Sequence, residues 1–333
     1  MFLWPTAYLI WTNLFVAKHS SSYSHLSSTL TMAADPLTSS SSSAQVIANE
    51  GTSSMEETFD KLAQHTLDRL VEIRQHTNNP HERLWIGLAG APGSGKTTVG
   101  ESVVKHIHQK TGKDCAICLP MDGYHIPQKR LHELGMDMKR RGSPWTFDAE
   151  AMTRDLSEAR KVTTDQETIV DLPSYDREIS DPRPGGLRLL PQHEIVIVEG
   201  NYVLLGYLYN QLQELKPGEE LPEQVQKVLE ITPEFENNVD KLKEEAQRWE
   251  PMLDDLWQET WFVAPPDGFP ENKRRLVGRS LKTWNPEKTK LWSNKPGETD
   301  RQAATNRVDY NDSKNGELAI CAQPFADIMI ETK

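Results

Sequence analysis

Leu84-Trp85-Ile86-Gly87-Leu88-Ala89, followed without a break by Gly90-Ala91-Pro92-Gly93-Ser94-Gly95-Lys96-Thr97, is the stretch on which the fold turns. The first six residues are a short apolar run of the kind that forms a strand buried on both faces of a parallel sheet. The next eight match the pattern G-x-x-x-x-G-K-[ST] in full. Glycines let the backbone take positive φ and turn its N–H groups into a concave nest at a helix N-terminus, where a phosphate can sit. Lys96 then reaches the outer phosphates, the Thr97 hydroxyl is placed as a Mg²⁺ ligand, and Thr98 completes the first turn of the helix. A chain of this length matches the pattern by accident in about 1% of cases at ordinary residue frequencies. Here the match also falls at a strand-to-helix junction, where the mechanism needs it. The loop predicts binding of a nucleoside triphosphate.

Outward from the loop, residues 115–121, 168–172, 194–199, 260–264 and 326–330 are further strand candidates, with helical candidates between them. That alternation implies an α/β protein with a parallel sheet covered on both faces. Before the first strand, Phe59, Leu62, Ala63, Leu67, Leu70, Val71 and Ile73 recur at helical spacing. They predict an amphipathic helix from Met55 to about His76, closed by Asn78-Asn79-Pro80.

Two carboxylates fall where ligands of open α/β sheets bind, just past the C-terminal ends of strands. Asp122, in Met121-Asp122-Gly123-Tyr124-His125, is placed to accept or orient the proton of a hydroxyl attacking a γ-phosphate. Taken alone, Asp before Gly also reads as an ordinary turn pair. Glu199, at the end of Ile195-Val196-Ile197-Val198, is placed to hold Mg²⁺ through water. Arg275 and Arg279 stand four apart on an expected helix and share a face. Such a face can close over a transferring phosphoryl group, and in isolation it reads equally well as a solvated basic surface.

Composition narrows the function classes. The 333 residues carry 49 acids and 37 bases, a net charge of -12, and no segment clusters Lys and Arg densely enough for a nucleic-acid groove. Half of the excess sits in residues 207–247, with ten acids and four bases. No apolar run reaches the length of about 20 residues that a membrane span requires. Three cysteines cannot form a disulfide framework, which fits a reducing compartment and a cytoplasmic location. Cys115 and Cys118 have C-x-x-C spacing, yet in a strand their odd separation sends them to opposite faces. Lys139-Arg140-Arg141 could contact an anionic acceptor, but like charges in a row read better as a solvated loop.

The expected organisation has three parts. Residues 1–54 form a disordered or targeting extension: an apolar start broken by Pro5, Thr12 and Asn13, then a Ser/Thr-rich tract in which Met32 is a second candidate start. Residues 55–83 supply the amphipathic helix and a linker. Residues 84–333 form the nucleotide-binding domain, with an acidic helical insertion at about 207–250 read as exposed decoration.

Together these residues resemble the phosphoribulokinase/uridine kinase family of P-loop kinases, which includes bacterial-type pantothenate kinase. The resemblance runs from about Leu84 to Ile330. It is carried by the phosphate loop, Met-Asp-Gly-Tyr-His at 121–125, Thr-Phe-Asp at 146–148, Pro-Ser-Tyr-Asp-Arg at 173–177, Val-Glu-Gly-Asn-Tyr at 198–202 and Arg-Leu-Val-Gly-Arg at 275–279. The sugar-kinase-like and fungal members are the most similar, with a segment like Asn306-Arg307-Val308-Asp309-Tyr310-Asn311-Asp312 after the lid.

The resemblance implies a P-loop NTPase three-layer sandwich with a helical lid, and transfer of the ATP γ-phosphate to a small-molecule hydroxyl with Mg²⁺. It gives Asp122 the role of catalytic carboxylate and Lys96 and Thr97 those of phosphate and Mg²⁺ ligands. Glu199 matches the acidic residue of the third core strand, and Arg275 and Arg279 match lid arginines. Tyr124, His125, Tyr175 and Arg177 would line the acceptor pocket. Asp-Gly-Tyr-His replaces the Asp-Ser-Phe-Tyr type of uridine kinases, so the implied chemistry does not carry uridine with it. The other reading is a nucleotide-driven switch or assembly ATPase. The chain has neither Asn-Lys-x-Asp, since Asn294-Lys295 runs into Pro296-Gly297, nor Leu-Ser-Gly-Gly. Neither reading calls for nucleic acid or membrane, and a homo-oligomer is compatible with both.

Overall fold

The computed structural model describes residues 45–46, 54–216, 218–253 and 256–332. The extension expected over residues 1–54, Met32 included, therefore lies outside the described residues except for 45–46 and Ser54. In chain order the elements are β1 (Gln45–Val46), α1 (Met55–His76), β2 (Leu84–Gly90), α2 (Lys96–Thr111), β3 (Ala116–Pro120), α3 (Gln128–Glu133), α4 (Ala149–Arg160), β4 (Val170–Asp176), β5 (Asp181–Leu189) and β6 (Ile195–Gly200). They continue with α5 (Gly206–Glu214), α6 (Glu223–Ile231), α7 (Val239–Gln247), β7 (Glu259–Ala264), α8 (Phe269–Leu281), α9 (Pro286–Trp292), α10 (Asp300–Arg307), α11 (Ser313–Ile320) and β8 (Ile328–Glu331).

The main sheet runs β8-β7-β2-β6-β3, parallel throughout, with the two-residue β1 parallel on the outer side of β8. β2 is central and buried along its whole length. Its side chains alternate between two cores, as the two-residue period of a strand requires. Leu84, Ile86 and Leu88 pack with Leu62 and Ile73 of α1 and Val99, Val103 and Ile107 of α2. Trp85 and Ala89 face the other way, toward Leu156 of α4, Leu208 of α5 and Leu318 of α11. The result is the expected three-layer α/β sandwich. No helix among the described residues is long and apolar enough to cross a membrane.

Three expectations are corrected. Residues 168–172 belong to no parallel sheet: β4 pairs antiparallel with β5 in a separate two-stranded ribbon. Pro173, Pro182 and Pro184 lack ladder donors and confine these strands to such an edge. The 207–250 segment is not exposed decoration. Leu208, Leu212, Val225, Val228, Leu242, Ala246 and Trp249 are all in the main core cluster, while most of the acids are exposed on α5, α6, α7 and the turns between them and Glu245 is largely buried against Arg248 and Trp249. Lys139-Arg140-Arg141 is not a solvated loop either. Arg140 is 3% exposed and bonded to Glu234, and Arg141 is tied to Asp181.

α1 begins with a capping box, in which Ser54 accepts from the Glu57 N–H and Glu57 accepts from the Ser54 N–H. It is clamped to the sheet by an ionic contact. His65 Nε2 lies 2.9 Å from both oxygens of the buried Glu259, with Arg69 Nε at 3.7 Å. The hydrogen bond to Glu259 raises the His65 pKa above its ordinary 6.5, against the opposing effect of burial. A raised folded-state value means the contact stabilises fully below pH 6.5 and fades as pH rises through the folded pKa. We expect the urea midpoint of the unaltered chain, relative to His65→Gln, to fall as pH is raised through that window. A difference independent of pH would remove the clamp.

Candidate functional site

The phosphate loop leaves β2 and enters α2 through Gly93 at φ 80° and Gly95 at φ 96°. A Cβ on Gly90 would stand 2.6 Å from Ser94 Oγ and 2.8 Å from the Val263 carbonyl, and one on Gly93 2.9 Å from the Asn272 carbonyl. The backbone therefore curls tightly around an open centre, a cavity of about 200 Å³ bounded by Gly93, Gly95, Lys96, Thr97, Thr98, Arg275 and Arg279.

The loop is braced from the C-terminal end of the chain. Thr332 Oγ1 donates to the Ser94 carbonyl at 2.7 Å, and Arg275 donates to Thr332 Oγ1 at 2.9 Å and to the Thr332 carbonyl at 3.1 Å. Arg275 also holds Glu271 at 2.8 Å. With Arg274 on its other side, the Glu271 carboxyl is pulled down to about 2. Arg275 is thus a clip between α8 and β8 that also borders the cavity. Arg279, one turn on, makes no side-chain hydrogen bond or ion pair among the described residues.

Strand register brings the two carboxylates to one place. Glu199 in β6 lies opposite Leu88 of β2 and Pro120 of β3, and Asp122 follows two residues beyond Pro120. Glu199 is 5% exposed and accepts from Thr97 Oγ1 at 3.0 Å. Burial raises its pKa, chiefly against the pull of Lys96. Burial likewise lowers the Lys96 pKa, opposed by Glu199 and then Asp122. Lys96, Glu199, Asp122, Arg177 and Arg279 are linked by charge around this point. Asp122 opens a helical turn, Met121–Tyr124, and its side chain is 44% exposed, so its carboxylate is open to an incoming group.

Of the residues expected in the acceptor pocket, His125 is the best anchored. Its Nδ1–H donates to the Asp122 carbonyl at 2.8 Å, and its ring lies between Phe147 at 4.0 Å and Tyr175 at 5.0 Å. Burial lowers its pKa, so the ring is neutral at neutral pH with Nε2 as its acceptor. Tyr124 turns inward and is 7% exposed. With His125 it borders a cavity of about 710 Å³ that Arg130, Asp148, Asp155 and Asp171 also line. Tyr175 accepts from Arg141 Nη1 at 2.8 Å, and Arg177 is exposed just past β4. Asp181 and Thr332 went unseen in the sequence because each works through a partner distant in the chain.

The residues present fit a Mg²⁺–triphosphate group. A hydroxyl and a buried carboxylate hydrogen-bonded to each other are hard oxygen donors, and Mg²⁺ takes few protein ligands, filling the rest with waters and phosphate oxygens. The glycine cradle and Lys96 lie beside them. Among the described residues no three His, Cys, Asp or Glu side chains gather into a separate metal cluster. Cys115 and Cys118 are free thiols.

No family model matches the chain. A Schizosaccharomyces pombe protein named "Putative uridine kinase C227.14" is 37% identical over 141 residues, 41% of this chain and 57% of that protein. A pantothenate kinase of Lacticaseibacillus casei is 27% identical over 139 residues, 42% of each chain. The chain thus spans about half the length of the curated relatives it matches. Among solved structures, a putative fructose transport system kinase from Silicibacter sp. TM1040 superposes with a TM-score of 0.54 at 23% identity, covering 81% of this chain and 98% of that one. At that identity the likeness speaks for the fold alone. The chain is thus similar over about 140 residues to proteins named as uridine and pantothenate kinases, and it shares the fold of this kinase-named neighbour.

Proposed function

We propose that the chain is an ATP-dependent phosphotransferase moving the γ-phosphoryl group of ATP to a hydroxyl of a small molecule: a nucleoside, a sugar or a vitamin-like alcohol. One observation carries the reading. Asp122 is an open carboxylate held next to Lys96 and Glu199 by strand register, so a hydroxyl bound beside it faces the end of a triphosphate seated in the loop. A switch ATPase needs a site for water at this point and no acceptor pocket next to it, and the kinase names of the relatives favour the first reading.

In this reading the backbone N–H groups of the loop and Lys96 hold the phosphates, and Arg279 neutralises charge that builds on the transferring group. Thr97 and Glu199 would hold Mg²⁺, which supplies charge neutralisation between the outer phosphates when bound. Asp122 takes up the acceptor proton as the new O–P bond forms and the bond from the γ-phosphorus to the bridging oxygen breaks, that oxygen leaving with ADP. His125, Tyr175 and Arg177 flank the acceptor, with Tyr124 as a buried wall. The partners are ATP and that acceptor, in a reducing cytoplasm, with no nucleic acid or membrane involved. The test is ADP release with Mg²⁺ across nucleosides, pantothenate, sugars and vitamin-like alcohols. Stimulation by at least one is expected. Stimulation by none, with hydrolysis dependent on a protein partner, would install the switch reading.

A further inference from the structure

One peptide of the phosphate loop is held from outside the loop. Thr332, just past β8, is 5% exposed and fixed through its backbone: its N–H donates to the Ala264 carbonyl at 3.0 Å, and its carbonyl accepts from Arg275 Nη2 at 3.1 Å. Its hydroxyl is thereby aimed at the loop. It donates to the Ser94 carbonyl at 2.7 Å while accepting from Arg275 Nη1 at 2.9 Å. A hydroxyl that accepts from a cation is polarised and donates more strongly in turn. The Ser94 side chain gives no hold of its own, since its Oγ is buried and has no hydrogen-bond partner.

The consequence lies at the other end of the same peptide. A trans peptide is planar, so its carbonyl and its N–H point to opposite sides. With the Ser94 carbonyl turned to Thr332, the Gly95 N–H points away from Thr332; Gly95 borders the phosphate cavity and Thr332 does not. Gly95 stands at φ 96° and opens α2 without a side-chain cap. Glycine takes positive and negative φ about equally readily, so nothing in Gly95 itself opposes rotation of this peptide. A rotated peptide would present a carbonyl oxygen to a phosphate. Arg275 is committed to preventing that: Nε bonds Glu271, Nη1 bonds Thr332 Oγ1 and reaches the Ser94 carbonyl at 3.4 Å, and Nη2 bonds the Thr332 carbonyl. Four of its five N–H donors are engaged away from the cavity.

We propose that Thr332 is a positioning residue: its hydroxyl locks the Ser94–Gly95 peptide with the Gly95 N–H turned to the phosphate site, and Arg275 acts by holding that hydroxyl. The role rests on the nucleotide-binding part of the reading above. Loop N–H groups cradle the inner phosphates, which ATP and ADP share, so the lock serves both nucleotides alike.

The test is titration of ATP and of ADP, each with Mg²⁺, into the full chain. Thr332→Val removes the hydroxyl at nearly the same shape and is expected to weaken both nucleotides roughly tenfold, the worth of one hydrogen bond to a charged group. Thr332→Ser keeps the hydroxyl and is expected to restore most of the affinity. In an Arg275→Met background, Thr332→Val is expected to cost less than it does in the unaltered chain, because both act through one bond. In the unaltered chain the Gly95 amide resonance is expected to shift when ADP is added. Unchanged affinity in Thr332→Val, a Ser variant no better than Val, additive losses in the cycle, or a Gly95 amide that ignores bound ADP would each overturn the role in favour of a merely structural contact. The amide is read on the unaltered chain, so it decides even where a variant fails to fold. An unaltered chain that binds neither nucleotide would overturn the nucleotide reading, and this role with it, before any variant is made.

Discussion

Asp122→Asn is expected to lower acceptor phosphorylation by roughly 10²- to 10⁴-fold, the range for removing a positioned proton acceptor, while ATP binding is retained. The separation follows from the geometry. The loop is shaped by Gly93 and Gly95 and braced by Thr332 and Arg275, and none of these contacts passes through the Asp122 side chain. Thr97 and Glu199, the pair proposed to hold the metal, also bond to each other without it. Asn keeps the size of the side chain and the backbone carbonyl that fixes His125, so the acceptor wall stays in place. What is lost is the negative charge and the basic oxygen. Because Asp122 is 44% exposed, the exchange strands no buried charge, and its stability effect is expected within about 0.5 kcal/mol. The measurements are acceptor-dependent ADP release and ATP affinity. Full activity would remove the role, and lost ATP affinity would reassign Asp122 to the metal.

The parts of this site that were legible in the sequence are those built by local rules. A buried strand, a glycine loop and a helix N-terminus are contiguous at 84–98, so period and pattern suffice. Asp122 and Glu199 were legible because each ends an apolar run, and strand ends are where α/β sheets place their ligands. Arg140 and Arg141 were misread because adjacent like charges are usually solvated, whereas here the two diverge to carboxylates 94 and 40 residues away. The 207–250 segment was misread because its acids dominate the composition. The apolar spacing beneath them, Leu208 and Leu212, Val225 and Val228, Leu242 and Ala246, is that of helices with one buried face. The β4–β5 ribbon was half seen, since its prolines and glycines hide β5 from any alternation test. Non-local pairing is the common cause.

Arg140→Met is expected to destabilise the chain by about 3 kcal/mol, and the reason is not its ion pair. Glu234 is about a third exposed, and a pair that water can reach contributes about 0–1 kcal/mol. Glu234→Gln should therefore cost under about 1 kcal/mol. The larger cost comes from the bonds that the charged guanidinium donates to the Tyr310 carbonyl and to the Asn311 carbonyl and Oδ1, bonds from a charged donor being worth about 1.5–3 kcal/mol each, although Asn311 Oδ1 keeps Asn315 Nδ2 as a second donor. The planar fork also lies 5.2 Å from the Trp145 ring, a contact that Lys reproduces poorly, so Arg140→Lys should recover only part of the loss. Arg130→Ala, removing an exposed pair, serves as the control and should fall within about 0.5 kcal/mol. Urea unfolding of the four variants separates the accounts. If Glu234→Gln costs as much as Arg140→Met, the ion pair holds the segment. If it costs little, the bonds to residues 310 and 311 do, and the π-helical turn Val308–Asp312 depends on a cation anchored some 170 residues earlier in the chain.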